Sequence, residues 1–228
     1  MTFRKVSHVL FDMDGLILNS EVLYTAAIQN ILSRYGKEYT FELKQKLMGL
    51  QSHESAKVLI STHNLPLSVE EMIEESKKQF AVLFPNSQLM PGAKNLIEHF
   101  HKHNVPMALA TSSSKESYEL KITHHKELFD LFKYKTLGSS DPEVKRGKPY
   151  PDVFLVAASR FPDKPKPEQC LVFEDAVNGV KAAKAAGMQV VMVPDPRIEK
   201  SATAEATLVL SSLVDFKPEL FGLPPFTS

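Results

Sequence analysis

The chain has 228 residues, 43% hydrophobic and 24% charged, enough for one large packed domain or a domain with a smaller companion. Lys+Arg and Asp+Glu are 27 each and the net charge is +0, so no basic excess marks nucleic acid or an anionic membrane surface as the partner. A lone cysteine, Cys170, excludes an intramolecular disulfide, and no apolar run approaches the roughly 18 residues of a membrane span.

From the start, the polar stretch Met1 to Arg4 leads into a short apolar run that meets two aspartates too soon for a signal-peptide core. The expected setting is reduced and cytoplasmic. Apolar runs at Val6–Phe11, Pro106–Ala110, Tyr134–Leu137, Cys170–Phe173, Gln189–Val193 and Thr207–Leu210 read as buried parallel strands, which are continuous rather than alternating. Helical patterns lie between most of them, at Ala93–His103, Pro151–Phe161 and Val177–Ala186, the last stopped by Gly187. Strand, helix, strand, repeated, predicts an α/β domain with a parallel sheet.

Between Ser20 and Met90 the pattern changes. Glu21–Tyr35, Glu42–Met48, Ser52–His63 and Val69–Phe84 all carry helical spacing, with no strand among them. About seventy helical residues are too many for a plain crossover, which predicts a small helical domain inserted after the first strand. Pro85 and Pro91-Gly92 mark the return. The proline-rich tail, Pro218–Ser228, is expected to pack or fray as coil.

Chemistry concentrates at strand ends. The first strand closes on Asp12-Met13-Asp14-Gly15. Ligands of α/β sheets bind outside the carboxyl ends of the strands, and residues two apart on a strand share a face, so Asp12 and Asp14 can serve one pocket. Two acids so close call for a cation or a shared proton; a capping Asp beside a turn Asp is the plain alternative. The second strand ends in Thr111-Ser112-Ser113-Ser114 before a helix at Lys115–Thr123, suited to phosphate or simply to capping that helix. Gly147-Lys148-Pro149-Tyr150-Pro151 holds a lysine between stiffening prolines, fit to neutralise a phosphoryl oxygen or an aspartate, or else solvated. The fourth strand ends in Glu174-Asp175, candidate oxygen ligands for magnesium, with Asp175 also a candidate helix cap. Paired acids, hydroxyls, a lysine and a second acid pair at four such junctions make a stronger case together than any does alone.

These motifs, in this order, resemble those of the haloacid dehalogenase-like hydrolases, over essentially the whole chain. The resemblance implies a Rossmann-like doubly wound parallel sheet core, residues 1–19 and 91–228, with an all-helical cap at 20–90. It implies a phosphomonoesterase in which Asp12 is the nucleophile and Asp14 the general acid and base. Thr111 and the N–H of Ser112 would hold the phosphoryl group, with Lys148 offsetting its charge. Mg2+ would be held by Asp12, Asp175 and the backbone carbonyl of Asp14, with Glu174 behind them. Phe11–Gly15, Ala108–Ser113, Gly147–Asp152, Leu171–Asp175, Gly187–Asp195 and Asp215–Pro224 narrow the resemblance to a branch acting on a nucleoside monophosphate; sugar or polyol phosphates and phosphoglycolate are the alternatives. Expected partners are a small phosphorylated metabolite, no nucleic acid and no membrane, with the chain a monomer.

Asn19 stands where members with such a cap often carry Asp, keeping hydrogen bonding but not charge. Related sugar phosphomutases carry a histidine and an arginine near the positions of Tyr24 and Ser52, which disfavours re-transfer of the phosphate here, although His53 is adjacent. A silent phosphate binder would show damaged acids, and all are present. His99 and His103 can share a helix face, but two histidines make a poor zinc site. His124 and His125 are expected at the surface, and Lys77-Lys78 on a solvated helix face.

Overall fold

The structure, a computed structural model, describes residues 3–47, 50 and 52–226. Six strands, β1 (His8–Phe11), β2 (Met107–Thr111), β3 (Tyr134–Leu137), β4 (Cys170–Glu174), β5 (Gln189–Met192) and β6 (Leu208–Val209), form one parallel sheet in the order β3-β2-β1-β4-β5-β6. Each expected strand is present, β3 with the expected bounds and the others shifted at one or both ends by a residue or two. β1 lies between β2 and β4, the point where the strand order reverses, and a doubly wound sheet opens a crevice there.

β1 is apolar throughout because both its faces are covered. Val9 and Phe11 join one apolar cluster and Leu10 the opposite one, the alternation that a strand period of two demands. The first face carries α5 (Ala93–Lys102), α6 (Lys115–Lys121) and α7 (Lys126–Phe129); the second carries α8 (Asp152–Ser159) and α9 (Val177–Ala185). Phe11 stacks on Phe173 at 4.7 Å between ring centroids and meets Phe132 edge-on at 5.7 Å. Such pairs contribute about 0.5–1.5 kcal/mol beyond their buried area. They hold the ends of β1 and β4 together, one residue before the acids at each end.

The tail packs, one of the two outcomes expected, though in short turns rather than plain coil. It folds into short 3-10 turns at Leu213–Asp215 and Pro218–Phe221, and Phe216, Phe221 and Leu223 are buried in the first-face cluster. The aromatic side chains offset the ordering of a proline-rich segment. His99 Nε2 donates to the Pro224 carbonyl, 2.8 Å away, and its ring packs on Phe226, so this histidine anchors the tail.

Between β1 and β2 lie α1 (Glu21–Ser33), α2 (Phe41–Leu47), α3 (Ser52–His63) and α4 (Val69–Leu83). They enclose an apolar cluster of their own, including Ile28, Ile31, Leu32, Leu43, Leu59 and Met72. α4 begins with a reciprocal cap: Ser68 Oγ accepts from Glu71 N at 3.1 Å and Glu71 accepts from Ser68 N at 2.7 Å. The segments entering and leaving this insertion are paired. Leu18 bridges Leu89 antiparallel, Met90 N donates to Ile17 O and Asn19 N to Gln88 O, each at 2.8 Å. The Asn19 side chain is exposed. Met48, expected in α2, lies outside the described residues.

Candidate active site

β1 delivers Asp12 to the sheet edge already fixed. Its N–H donates to Phe173 O at 3.0 Å, carrying the β1–β4 pairing one residue beyond the strand, and its side chain is buried. The chain then turns at Gly15, whose φ of +81° suits glycine, and Gly15 N donates to Leu18 O at 2.8 Å. A Cβ on Gly15 would collide with the Asp175 carboxylate. That close approach brings the end of β4 over the turn after β1.

Lys148 enters the same space from the loop before α8. It is buried, contrary to the solvated alternative. Its ammonium donates to Asp12 Oδ1 at 2.6 Å and to Glu174 Oε1 at 2.5 Å. The other Glu174 oxygen accepts from Asp175 N and Ala176 N, each at 3.0 Å. Glu174 thus satisfies the two peptide N–H groups that follow β4, and Ala176 is the N-cap position of α9. The Asp175 carboxylate faces the turn at Gly15.

Asp12, Glu174 and Asp175 each offer an oxygen within 4.8 Å of the others, and all three are buried. Burial drives the Asp12 carboxyl up to about 8; Lys148 opposes the rise while Glu174 and Asp14 add to it. Burial also holds Asp175 well above the usual carboxylate range, with Glu174, Asp12 and Glu21 reinforcing it. Three carboxylates against one ammonium leave an excess of negative charge, and the donors are all oxygen. That is the donor set and charge a magnesium ion fits.

Asp14, two residues from Asp12, is held separately. Its Oδ1 accepts from Ser20 Oγ at 2.5 Å and from Lys121 Nζ at 2.6 Å, and its Oδ2 accepts from Ser113 Oγ at 2.7 Å, with Thr111 Oγ1 at 3.4 Å. Burial alone raises this carboxyl, but the Lys121 charge and hydrogen bond, with those of Ser20 and Ser113, outweigh it and hold Asp14 below the ordinary range. The two aspartates thus have distinct environments, one pushed up and one held down, each with its own lysine.

Above these groups a cavity of about 260 Å³ opens between sheet edge and insertion. The insertion contributes Tyr24, Tyr39, Ser55, Met72 and Phe80, the sheet side Thr111 to Ser114. Lys44 also lines it, its ammonium tied to Glu21 Oε2 at 3.2 Å and Thr25 Oγ1 at 3.0 Å. Ser52 and Lys77 are at its wall, and Lys77 is exposed, as expected of a solvated helix face. Met48, Gly49 and Gln51, in the connection between α2 and α3, lie outside the described residues.

Each of Asp12, Asp14, Thr111, Ser112, Lys148, Glu174 and Asp175 lines this one cavity. Ser114 also caps α6 by accepting from Ser117 N at 3.2 Å, so capping and lining coexist in the hydroxyl run. Sequence reasoning missed Lys121, Ser20 and the side chain of Ser113 as partners of Asp14. A lysine within an apolar-patterned helix, seven residues past the hydroxyl run, was the available signal, and it is weak.

A family model described as haloacid dehalogenase-like hydrolase matches residues 9–193. A Drosophila melanogaster protein provisionally named a pseudouridine-5'-phosphatase is 56% identical over 98% of this chain and 97% of its own. (DL)-glycerol-3-phosphatase 2 of Arabidopsis thaliana is 49% identical, over 97% of this chain and 93% of its own. Among solved structures, a β-phosphoglucomutase from Clostridium difficile shares the fold with a TM-score of 0.76 at 24% identity, covering 94% of each chain. A sheet edge bearing these acids, and full-length relatives that are phosphatases, agree with the family match: the chain belongs to the haloacid dehalogenase-like hydrolases and is a phosphoric monoester hydrolase among them.

Proposed function

We propose that this hydrolase cleaves a small nucleoside or sugar phosphate, with pseudouridine-5'-phosphate the first choice, through an aspartyl-phosphate at Asp12. The observation that carries the reading is the Lys148 ammonium, 2.6 Å from Asp12 and 2.5 Å from Glu174, beside a second aspartate held apart from the first. An Asp12 oxygen attacks phosphorus, the bond to the leaving oxygen breaks, and Asp14 gives that oxygen its proton. The negative charge of the bound phosphate opposes Lys121 and favours the proton on Asp14. Water then attacks phosphorus, Asp14 takes its proton, the bond to Asp12 breaks, and inorganic phosphate leaves.

Thr111 and the N–H of Ser112 hold phosphoryl oxygens in this reading, and Lys148 offsets charge on Asp12 and the transferring group. Asp12, Asp175 and the main-chain carbonyl of Asp14 would hold the magnesium ion, with Glu174 behind them. The ion supplies charge neutralisation that lets a dianionic phosphate approach a carboxylate.

Residues 20–90 act as a cap over the core formed by 1–19 and 91–228, excluding bulk water and reading the leaving group. The mixed apolar and hydroxyl lining of the cavity, with the Lys44 and Lys121 charges already paired to carboxylates, supports a neutral, hydroxyl-bearing leaving group such as a nucleoside. The 56% identity to the fly protein supports choosing that substrate before glycerol phosphate. The enzyme is taken to act as a monomer in the cytoplasm.

The test is phosphate release from pseudouridine-5'-phosphate, uridine-5'-phosphate, phosphoglycolate and glycerol 3-phosphate, with magnesium and with EDTA, beside an Asp12→Asn variant. The expected result is release that needs magnesium and Asp12 and is fastest on pseudouridine-5'-phosphate. Faster release from another compound would replace the substrate, and release independent of Asp12 would remove the mechanism.

A further inference from the structure

Lys121 is a fully buried lysine for which the reaction scheme above has no direct use. It rises from the end of α6 with its side chain wholly enclosed. Its ammonium lies 2.6 Å from Asp14 Oδ1, 2.8 Å from Ser113 Oγ and 2.8 Å from the Tyr24 hydroxyl, and sits 4.6 Å and 4.7 Å from the ring centroids of Tyr24 and Phe84. An ammonium has three donors, and three acceptors surround this one. Among the described residues, Asp14 is its carboxylate partner.

Burying an ammonium costs more than burying a methionine of similar volume, and an ion pair recovers that cost only with good geometry. A buried staple between α6 and the insertion would be cheaper if apolar. What the lysine adds is orientation of one carboxylate. Its donors cannot become acceptors, whereas the hydroxyls of Ser113 and Thr111 can turn either way. A proton on Asp14 therefore cannot sit on the oxygen facing Lys121, but it can sit on the oxygen facing Ser113 and Thr111.

We propose that Lys121 is a positioning residue that pins Oδ1 of Asp14, so that Oδ2, on the side of Thr111 and the phosphate site, is the oxygen that gives and takes the proton. Tyr24 fixes the ammonium from the insertion side. The inference rests on the reading of Asp14 as general acid and base.

The experiment compares kcat/KM for glycerol 3-phosphate, whose alkoxide needs a proton as it leaves, with that for p-nitrophenyl phosphate, whose leaving group does not. Lys121→Met is expected to lower the first by about 100-fold and the second by about threefold or less, in keeping with the usual worth of a positioned acid. Tyr24→Phe keeps the packing and removes one acceptor; it is expected to show the same selectivity at about five- to tenfold. An equal fall on both substrates, or no fall on either, overturns the proposal and leaves Lys121 a structural residue. If Lys121→Met does not fold, Tyr24→Phe decides by the same criterion. Asp14→Asn runs beside them: without a larger fall on the alkyl ester there, the acid role itself fails and the proposal with it. A fall there that Lys121→Met and Tyr24→Phe do not share overturns the proposal alone.

Discussion

A Cβ built on Gly179 falls inside the carboxylate of Glu174. Gly179 lies in the first turn of α9, and its bare backbone leaves the space in which Glu174 meets both Lys148 and the N–H groups of Asp175 and Ala176. Helix propensity taken alone predicts that Gly179→Ala stabilises the protein by about 1 kcal/mol. The contact predicts the reverse: overpacking of about 1–3 kcal/mol, together with displacement of Glu174. Thermal denaturation gives the sign directly, and phosphatase activity should fall with it.

The Lys148 ammonium pairs with both Asp12 and Glu174. Removing one partner of a buried ion pair leaves charge uncompensated. Lys148→Met is expected to lower kcat by about 100- to 1,000-fold. It should also bind magnesium more tightly than the parent protein, because the remaining carboxylates lose their competing cation. Titration calorimetry checks the second point, and weaker magnesium binding would count against the charge argument.

The raised carboxyl of Asp12 has a pH consequence. Its folded value is about 8 and its ordinary value 3.8. A group raised on folding stabilises the fold fully below the ordinary value, and that contribution is lost as pH climbs through the folded value. Magnesium neutralises the same cluster where the proton has left. The gain in Tm on adding magnesium should therefore be small near pH 6 and largest above about pH 8. Melts in paired buffers with and without the ion measure it, and a gain that shrinks with rising pH would contradict the picture.

Cys170 is buried at the start of β4, and burial, helped by Asp163 and Glu168, pushes its thiol up to about 12. The thiol form is not nucleophilic. In the native protein at pH 8 a disulfide reagent should react at least about 100-fold more slowly than in urea. Cys170→Ala should leave activity within about twofold of the parent, since the residue acts as a small apolar side chain.

The sheet was legible because its strands are buried on both faces, so that Val9, Leu10 and Phe11 form an unbroken apolar run with the acids immediately after it. The four helices of the insertion were legible from periodicity and from signals such as the Ser68 and Glu71 pair. Asp12, Asp14, Lys148 and Glu174-Asp175 stood out because chemistry at strand ends concentrates in short stretches of chain. Lys121 did not. Its environment is made by α1, the return from the insertion and the end of β2, which meet only in three dimensions, and no local spacing encodes that meeting. The tail was obscure for a related reason: its prolines speak of coil, while the destination of Phe216 and Phe221 depends on a groove built by distant residues. Glu174-Asp175 was read as a pair of acids, but which of the two would meet Lys148 and which would face Gly15 depends on side-chain direction, which the sequence does not encode.

The paired segments at Ile17–Asn19 and Gln88–Met90 have a consequence for how such an enzyme diversifies. Antiparallel partners stand only about 5 Å apart, so the chain departs from the sheet and returns to it at nearly the same place. Whatever lies between can lengthen, shorten or be exchanged for a different set of helices at little cost in loop closure. Leaving-group recognition can drift in this way while the cleavage chemistry stays as it is. The two hydrogen-bonded segments are the seam along which one could be grafted onto the other.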